Sequence, residues 1–135
     1  MLEQINFHHF GLAVKDFTNS INFYSNLGFA CSKPIIDEFQ KVELILCTSD
    51  RFPAVELIRP INSESPIYNF LKKNEEIIYH TCYEVSNPET NVGMLFSKNR
   101  AICISKPKPA ILFANRLVSF YYLPQVGIVE ILNRH

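Results

Sequence analysis

Two histidines and two glutamates recur at matching places in the two halves of this 135-residue chain. His9 opens the segment HFGLAV, and His80 opens HTCYEV 71 residues later. Glu56 lies in the triplet VEL, and Glu130 lies in VEI 74 residues later. Neutral imidazole and carboxylate are ligands that suit first-row divalent metals. The repeat has two interpretations: polar residues on solvated strand faces, or four ligands of one metal site.

The first histidine of the repeat has a histidine neighbour, His8. Successive side chains of a strand point to opposite faces, so only one of these two imidazoles can join a site. The alignment of the two halves favours His9, because it matches His80.

Strand alternation also predicts where the glutamates point. Val55 and Leu57 share one face of their strand, so Glu56 lies on the other. Glu130 stands between apolar neighbours in the same way. If the sheet curls, this second face becomes the inside of a cleft. Two carboxylates and two imidazoles then converge there, with positions left for water or a substrate.

The elements that carry these residues form an α+β pattern in which a β-α-β-β-β series occurs twice, joined by a short helix. Gly28 stands where a glycine would end the first helix. Pro107 and Pro109 bound a turn or an edge segment. The predicted helices cover residues 17–27, 63–74 and 89–98, and the predicted strands cover 5–14, 40–47, 54–58, 77–85, 101–105, 110–113, 116–123 and 128–132.

Composition narrows the classes of partner. The chain is long enough for one domain, and its 47% hydrophobic residues can build a core without disulfides. Lysine plus arginine and aspartate plus glutamate both number 13, so no bulk charge attracts nucleic acid.

The N-terminus lacks the pattern of a signal peptide, and no apolar run approaches the roughly 20 residues that span a bilayer. The expected location is the cytoplasm, with no membrane partner.

The four cysteines do not form a CxxC motif, which argues against a thiolate zinc site. Their surroundings are apolar or strand-like. We therefore expect reduced thiols that are mostly buried. The four residues are Cys31, Cys47, Cys82 and Cys103.

Six segments together resemble the glyoxalase/bleomycin-resistance/dioxygenase superfamily, also called the vicinal-oxygen-chelate superfamily. This resemblance implies one domain over residues 1–135, with module 1 at about 1–60, a connecting helix at about 61–76 and module 2 at about 77–135. It implies two βαβββ modules that form a cupped, barrel-like mixed sheet around one divalent ion (Co, Ni, Zn, Mn or Mg), often in a homodimer. It assigns the ligands to His9, Glu56, His80 and Glu130. The matching segments are 9–16, 23–24, 27–29, 55–58, 80–85 and 127–131.

Within the superfamily, the segment VELIRP at 55–60, followed by SPI at 65–67 and FL at 70–71, is similar to methylmalonyl-CoA epimerases. This similarity implies a metal-dependent epimerase that moves a proton alpha to a thioester carbonyl, with an acyl-CoA or other thioester as substrate. Glu130 and Glu43 are then the candidate catalytic residues, since Glu43 falls where some of these epimerases carry a catalytic glutamate. The chain departs from the epimerase pattern at 88–99, 105–109 and 121–124, regions that could shape the substrate pocket.

Three other functions remain open at this point. A glyoxalase I-like lactoylglutathione lyase would use the same four ligands. A non-catalytic drug-binding protein of the same fold would need no metal. A ring-cleaving dioxygenase uses two histidines and one carboxylate, so the additional carboxylate of Glu56 argues against it.

Overall fold

The computed structural model describes residues 5–135 of the chain, so the first four residues of the expected module 1 lie outside the described part. Within this range, runs of consecutive strands with a few helices between them make an α+β protein, which confirms the expected fold class. The three helices are α1 (Thr18–Asn26), α2 (Tyr68–Lys73) and α3 (Pro88–Leu95). The strands are β1 (Ile5–Val14), β2 (Ala30–Cys31), β3 (Ile35–Asp37), β4 (Val42–Thr48), β5 (Ala54–Pro60), β6 (Glu76–Val85), β7 (Ile102–Ala110), β8 (Arg116–Leu123) and β9 (Gly127–Asn133).

The chain divides into two compact units. The first unit comprises residues 9–79, and the second comprises residues 5–8 together with 80–135. The module boundaries near residues 60 and 77 stay a prediction.

In the first unit the strand order is β2-β4-β5-β1. β1 and β5 run parallel, whereas β4 is antiparallel to its neighbours. β2 and β3 pair with successive parts of β4, so together they take the place of one interrupted strand. At the interruption the Ser32 hydroxyl accepts a hydrogen bond from the Leu46 amide, which keeps that backbone group satisfied.

The core of the first unit lies between this sheet and α1. Its buried members are apolar residues of β1, β4 and β5 together with two phenylalanines that flank the helix. Ile21 and Tyr24 of α1 pack against them. The cluster comprises Val14, Phe17, Phe29, Ile45, Cys47, Val55 and Leu57.

The second unit repeats the plan in the order β6-β9-β8-β7, with β6 and β9 parallel. Val85, Val129 and Ile131 are buried against α3 residues such as Val92. Each unit therefore has a helix on one face of its sheet. The other face carries the candidate ligands.

α1 lies within the expected 17–27 and is shorter by one residue at each end. The Asp16 carboxylate accepts a hydrogen bond from the Thr18 amide at 2.7 Å, and this bond lowers the pKa of Asp16. After the helix, Gly28 adopts a φ of +99°, a conformation that residues with a Cβ rarely adopt.

Three expected elements differ from the structure. The second helix is shorter than the expected 63–74, because a series of turns occupies the segment before Tyr68. The strand expected at 110–113 is wrong, since Ile111–Phe113 forms a 3₁₀ turn that leads into left-handed Ala114. The strand expected at 101–105 extends to Ala110 and includes both prolines. β7 ends the strand order and its register shifts twice, so it is an edge strand that tolerates proline, and the edge alternative of the prediction is confirmed.

The four cysteines form no disulfide among the described residues, and they differ in exposure. Cys47 and Cys82 are buried, Cys31 is half-buried and Cys103 is exposed. Among the described residues, no helix combines the length and apolar character needed to cross a bilayer.

Candidate metal centre

His9 and Glu56 lie side by side in the first unit. The parallel pairing of β1 and β5 sets His9 beside Ala54 and Gly11 beside Glu56, so both candidate ligands face the same side of the sheet. The imidazole Nε2 lies 3.8 Å from the carboxylate Oε1. His9 has no accessible surface and Glu56 retains 4% of its surface, so both groups are removed from bulk water.

The face that carries Glu56 is the one opposite α1. Its neighbours Val55 and Leu57 belong to the core cluster under the helix, which confirms the alternation expected from the sequence. Leu46 of β4 and Gly11 of β1 are the strand partners of Glu56. Gly11 contributes no side chain, so β1 places no bulk directly beside this carboxylate.

His80 and Glu130 repeat this arrangement in the second unit. β6 and β9 are parallel, and Cys82 pairs with Glu130. His80 Nε2 lies 3.0 Å from Glu130 Oε1, and both residues are buried. The ring of Phe120, whose strand position pairs with Glu130, packs edge-on against the His80 ring at 5.5 Å. This aromatic contact limits the rotation of the imidazole ring.

The histidine and the glutamate have the same strand register in both units. In each, the glutamate pairs with the residue two positions after the histidine, namely Gly11 in the first unit and Cys82 in the second. A carboxylate on a solvated strand face was the alternative interpretation of the sequence. Burial of both glutamates rules that interpretation out.

Each pair fits a divalent ion by its donor atoms and their separation. Two atoms bonded to one ion at about 2.0–2.2 Å lie roughly 3–4 Å apart. The separations of 3.8 Å and 3.0 Å fall in this range. The shorter one also allows a hydrogen bond when His80 carries its proton on Nε2. Neutral imidazole with carboxylate is a common donor set for Zn, Co, Ni and Mn.

His8, the other histidine of the first strand, points elsewhere. Its ring packs edge-on against Phe113 at 5.2 Å. It also lies near Glu84, whose pKa is lowered mainly by the hydrogen bond from Arg116. These neighbours of His8 belong to the second unit. His9, by contrast, is the histidine that lies beside Glu56.

Glu43 lies on the opposite face from Glu56. The register pairs Glu43 with Arg59, and pairs Leu46 with Glu56 three positions away, so the two carboxylates project from different sides of the same strand pair. Glu43 forms a close ion pair with Arg59. The Arg59 guanidinium also lies over the Phe17 ring, 5.1 Å from its centre.

Arg59 is the partner that the sequence analysis missed. Its identity depends on how β4 and β5 align, which no spacing within a single strand can reveal. The catalytic role suggested for Glu43 by resemblance stays a prediction.

The profile of the Glyoxalase/Bleomycin resistance protein/Dioxygenase superfamily matches residues 8–120. This match covers most of the chain. The chain belongs to this superfamily.

Two curated relatives, both named methylmalonyl-CoA epimerase, mitochondrial, are similar to this chain. The protein of Bos taurus is 30% identical over 122 residues, which cover 89% of this chain and 68% of that protein. The protein of Dictyostelium discoideum is 31% identical over 103 residues, covering 75% of this chain and 61% of that protein. The chain thus spans about three fifths of the Dictyostelium protein.

Solved structures show the same superfamily fold. The crystal structure of methylmalonyl-CoA epimerase from Mycobacterium tuberculosis matches with a TM-score of 0.79 at 22% identity. The match covers 96% of this chain and 88% of that chain. The fold expected from the sequence resemblance is therefore confirmed.

Proposed function

We propose that this protein is a divalent-metal-dependent epimerase that moves a proton alpha to the thioester carbonyl of an acyl-CoA such as methylmalonyl-CoA. One observation carries the proposal: each unit presents a buried histidine–glutamate pair with Nε2 facing Oε1. The named function of the two epimerase relatives supports the choice of substrate class.

We also propose that the His9–Glu56 pair and the His80–Glu130 pair bind the same ion. Two donors from either pair alone leave a divalent ion short of the three or four protein ligands that zinc sites use. His9, Glu56, His80 and Glu130 together would supply four. The remaining coordination positions would be open to substrate oxygens, as a catalytic centre requires.

When bound, the ion would act as a Lewis acid toward the thioester carbonyl and make the neighbouring C–H more acidic. The chain itself must then move the proton. We assign this step to Glu130, whose carboxylate can accept a proton on one oxygen. Its burial excludes competing water, which strengthens its electrostatic interactions with the reacting groups.

The environment of His80 supports the same assignment. Phe120 holds the imidazole edge-on, and the 3.0 Å separation keeps Glu130 Oε1 beside Nε2. The imidazole therefore restricts the positions that the carboxylate can occupy during proton transfer. Such positioning of an acid–base group contributes to rate because the reacting atoms need little reorganisation.

Epimerisation needs an acid on one face of the substrate and a base on the other. Glu130 supplies one of these groups in our proposal. Glu43 is the second candidate by resemblance, but it projects from the face that α1 covers.

The homodimer and the cytoplasmic location expected from the sequence also stay predictions.

The proposed function is tested by following the α-proton in D2O. Protein purified without chelators is incubated with methylmalonyl-CoA, and exchange at the α-carbon is measured by NMR before and after removal of metal. We expect exchange that is lost on chelation and restored by Co²⁺, Ni²⁺ or Zn²⁺. Turnover of the methylglyoxal–glutathione hemithioacetal, with no exchange into the CoA ester, would instead identify a lactoylglutathione lyase.

A further inference from the structure

Two of the cysteines face each other across neighbouring strands. Cys31 of β2 pairs directly with Cys47 of β4 in the antiparallel register. Their sulfur atoms lie 2.9 Å apart, and both residues are free thiols. The proposed epimerase reaction uses neither residue.

The backbone around this pair suits a disulfide. The Ser32 amide donates to the Leu46 carbonyl at 2.9 Å, so this is a hydrogen-bonded position of the ladder. The adjacent Cys31–Cys47 position is then of the non-hydrogen-bonded type, in which the Cα atoms are about 4.5 Å apart. Disulfides join Cα atoms at about 4.4–6.8 Å and have a bond of about 2.05 Å. Small side-chain rotations would therefore close the bond without separating the strands.

The two thiols differ in access. Cys47 is fully buried in the core under α1. Burial, together with the hydrogen bond to Cys31, raises its pKa, so it stays protonated at neutral pH. Cys31 is half-buried and packs against that core. It lies on β2, which is the edge strand of the first unit. An external reagent therefore reaches the Cys31 sulfur first.

We propose that Cys31 and Cys47 form a reversible dithiol–disulfide site that reacts with low-molecular-weight disulfides such as glutathione disulfide. The Cys31 thiol loses its proton to solvent, and its thiolate attacks one sulfur of the reagent, which forms a mixed disulfide and releases one small thiolate that takes up a proton. The Cys47 sulfur then attacks the Cys31 sulfur, and the Cys47 proton passes to the departing small thiolate. This step closes the protein disulfide and releases the second small thiol, so two protein thiols are oxidised and one small disulfide is reduced.

The disulfide would tie the edge strand to the sheet and leave the candidate ligands untouched. Cys47 pairs with Val55, whose side chain lies under α1, whereas Glu56 projects from the opposite face. The linked residues are sixteen positions apart, so the bond closes a sizeable loop of the unfolded chain. We therefore expect the oxidised protein to melt roughly 5–10 °C higher with unchanged metal affinity.

The test uses the whole reduced protein equilibrated in glutathione redox buffers under native conditions. The reaction is quenched with acid, the remaining thiols are alkylated in denaturant, and peptide mapping by mass spectrometry locates the bonds. We expect a peptide that links Cys31 to Cys47, formed with an equilibrium constant at least tenfold larger than that of the chain in guanidinium chloride. The native geometry raises the effective concentration of one thiol near the other, which accounts for this difference.

Cys103→Ser is the matched control, because it removes an exposed cysteine outside the pair. It should form the linked peptide as the unmodified protein does, whereas Cys31→Ser should not. The proposal fails if glutathione adducts accumulate while Cys31 and Cys47 are both still alkylated. It also fails if the equilibrium constant is the same in guanidinium chloride, since the fold would then contribute nothing.

Discussion

His80 Nε2 lies 3.0 Å from Glu130 Oε1 on two parallel strands whose ligand-bearing face is turned away from the helix of the unit. The pair of His9 and Glu56 follows the same strand geometry with a separation of 3.8 Å. This repetition distinguishes the four residues from ordinary buried polar groups.

Glu130→Gln should abolish most of the proton exchange into methylmalonyl-CoA. The amide cannot accept a proton at neutral pH, and general acid–base steps contribute roughly 10²–10⁴-fold to rate. NMR in D2O measures the exchange, and metal analysis separates lost proton transfer from lost metal. Glu64→Gln, at an exposed position, is the control with unchanged exchange. Exchange at the wild-type rate in Glu130→Gln would remove this residue as the base.

The neighbouring histidines offer a matched comparison. His9→Ala should lower bound metal at least tenfold, because it deletes an imidazole donor beside Glu56. His8→Ala should keep the metal, since that ring packs against Phe113 instead. Elemental analysis of both purified variants checks the difference. Equal metal content in the two variants would contradict the assignment of His9, and not His8, as the metal ligand of β1.

Glu43→Gln separates a structural role from a catalytic one. Loss of the ion pair with Arg59 should lower the free energy of unfolding by about 0.5–1 kcal/mol, a magnitude expected for a partly exposed pair. Because Glu43 faces α1, we expect proton exchange to stay within about tenfold of wild type. Chemical denaturation and the D2O assay measure the two effects. A loss of exchange of 10²-fold or more at full metal content would establish the catalytic role suggested by resemblance.

Glu84 should make the stability of the protein depend on pH. Hydrogen bonds from Arg116 and Arg134 lower its pKa from the ordinary value of 4.5. A carboxyl group with a lowered pKa stabilises the folded state above its unfolded value, and this contribution disappears as pH falls through the folded value. The free energy of unfolding of Glu84→Gln should therefore lie below that of wild type by about 1 kcal/mol at pH 7.

Denaturant titrations at pH 7 and at pH 3 measure this dependence. The gap between wild type and Glu84→Gln should narrow at the lower pH, while Glu64→Gln should show no comparable trend. A gap that is constant across this range would mean that the charge of Glu84 does not contribute to stability.

The sequence was sufficient to predict the two pairs because they rest on local alternation and an internal repeat. A glutamate between Val55 and Leu57 must face away from both, whatever the strand order. The pairing with His9 also follows once β1 and β5 are parallel neighbours. That pairing was not part of the sequence prediction and comes from the structure.

The side on which Glu43 lies could not be predicted in this way. Leu44 and Leu46 make one face of β4 apolar, whereas Ile45 and Cys47 make the other apolar. Alternation therefore gave no preference for either face. The position of α1 and the register with β5 decide that Glu43 meets Arg59.

The strand expected at 110–113 fails for a related reason. The run of Ile111, Leu112 and Phe113 is apolar enough for a buried strand, but a short apolar run does not distinguish a strand from a helical turn. The left-handed backbone of Ala114 and Asn115, which follows directly, ends any extended segment there. No glycine marks this turn in the sequence.

The stoichiometry of metal binding tests the central claim most directly. Metal-free protein is titrated with Co²⁺ or Zn²⁺ by calorimetry, and the same titration is repeated with Glu56→Gln and Glu130→Gln, which each weaken a different pair. Our account predicts one ion per chain, with lower affinity in both variants because the two pairs share that ion. Two ions per chain, each affected by only one of the variants, or no binding at all would contradict it.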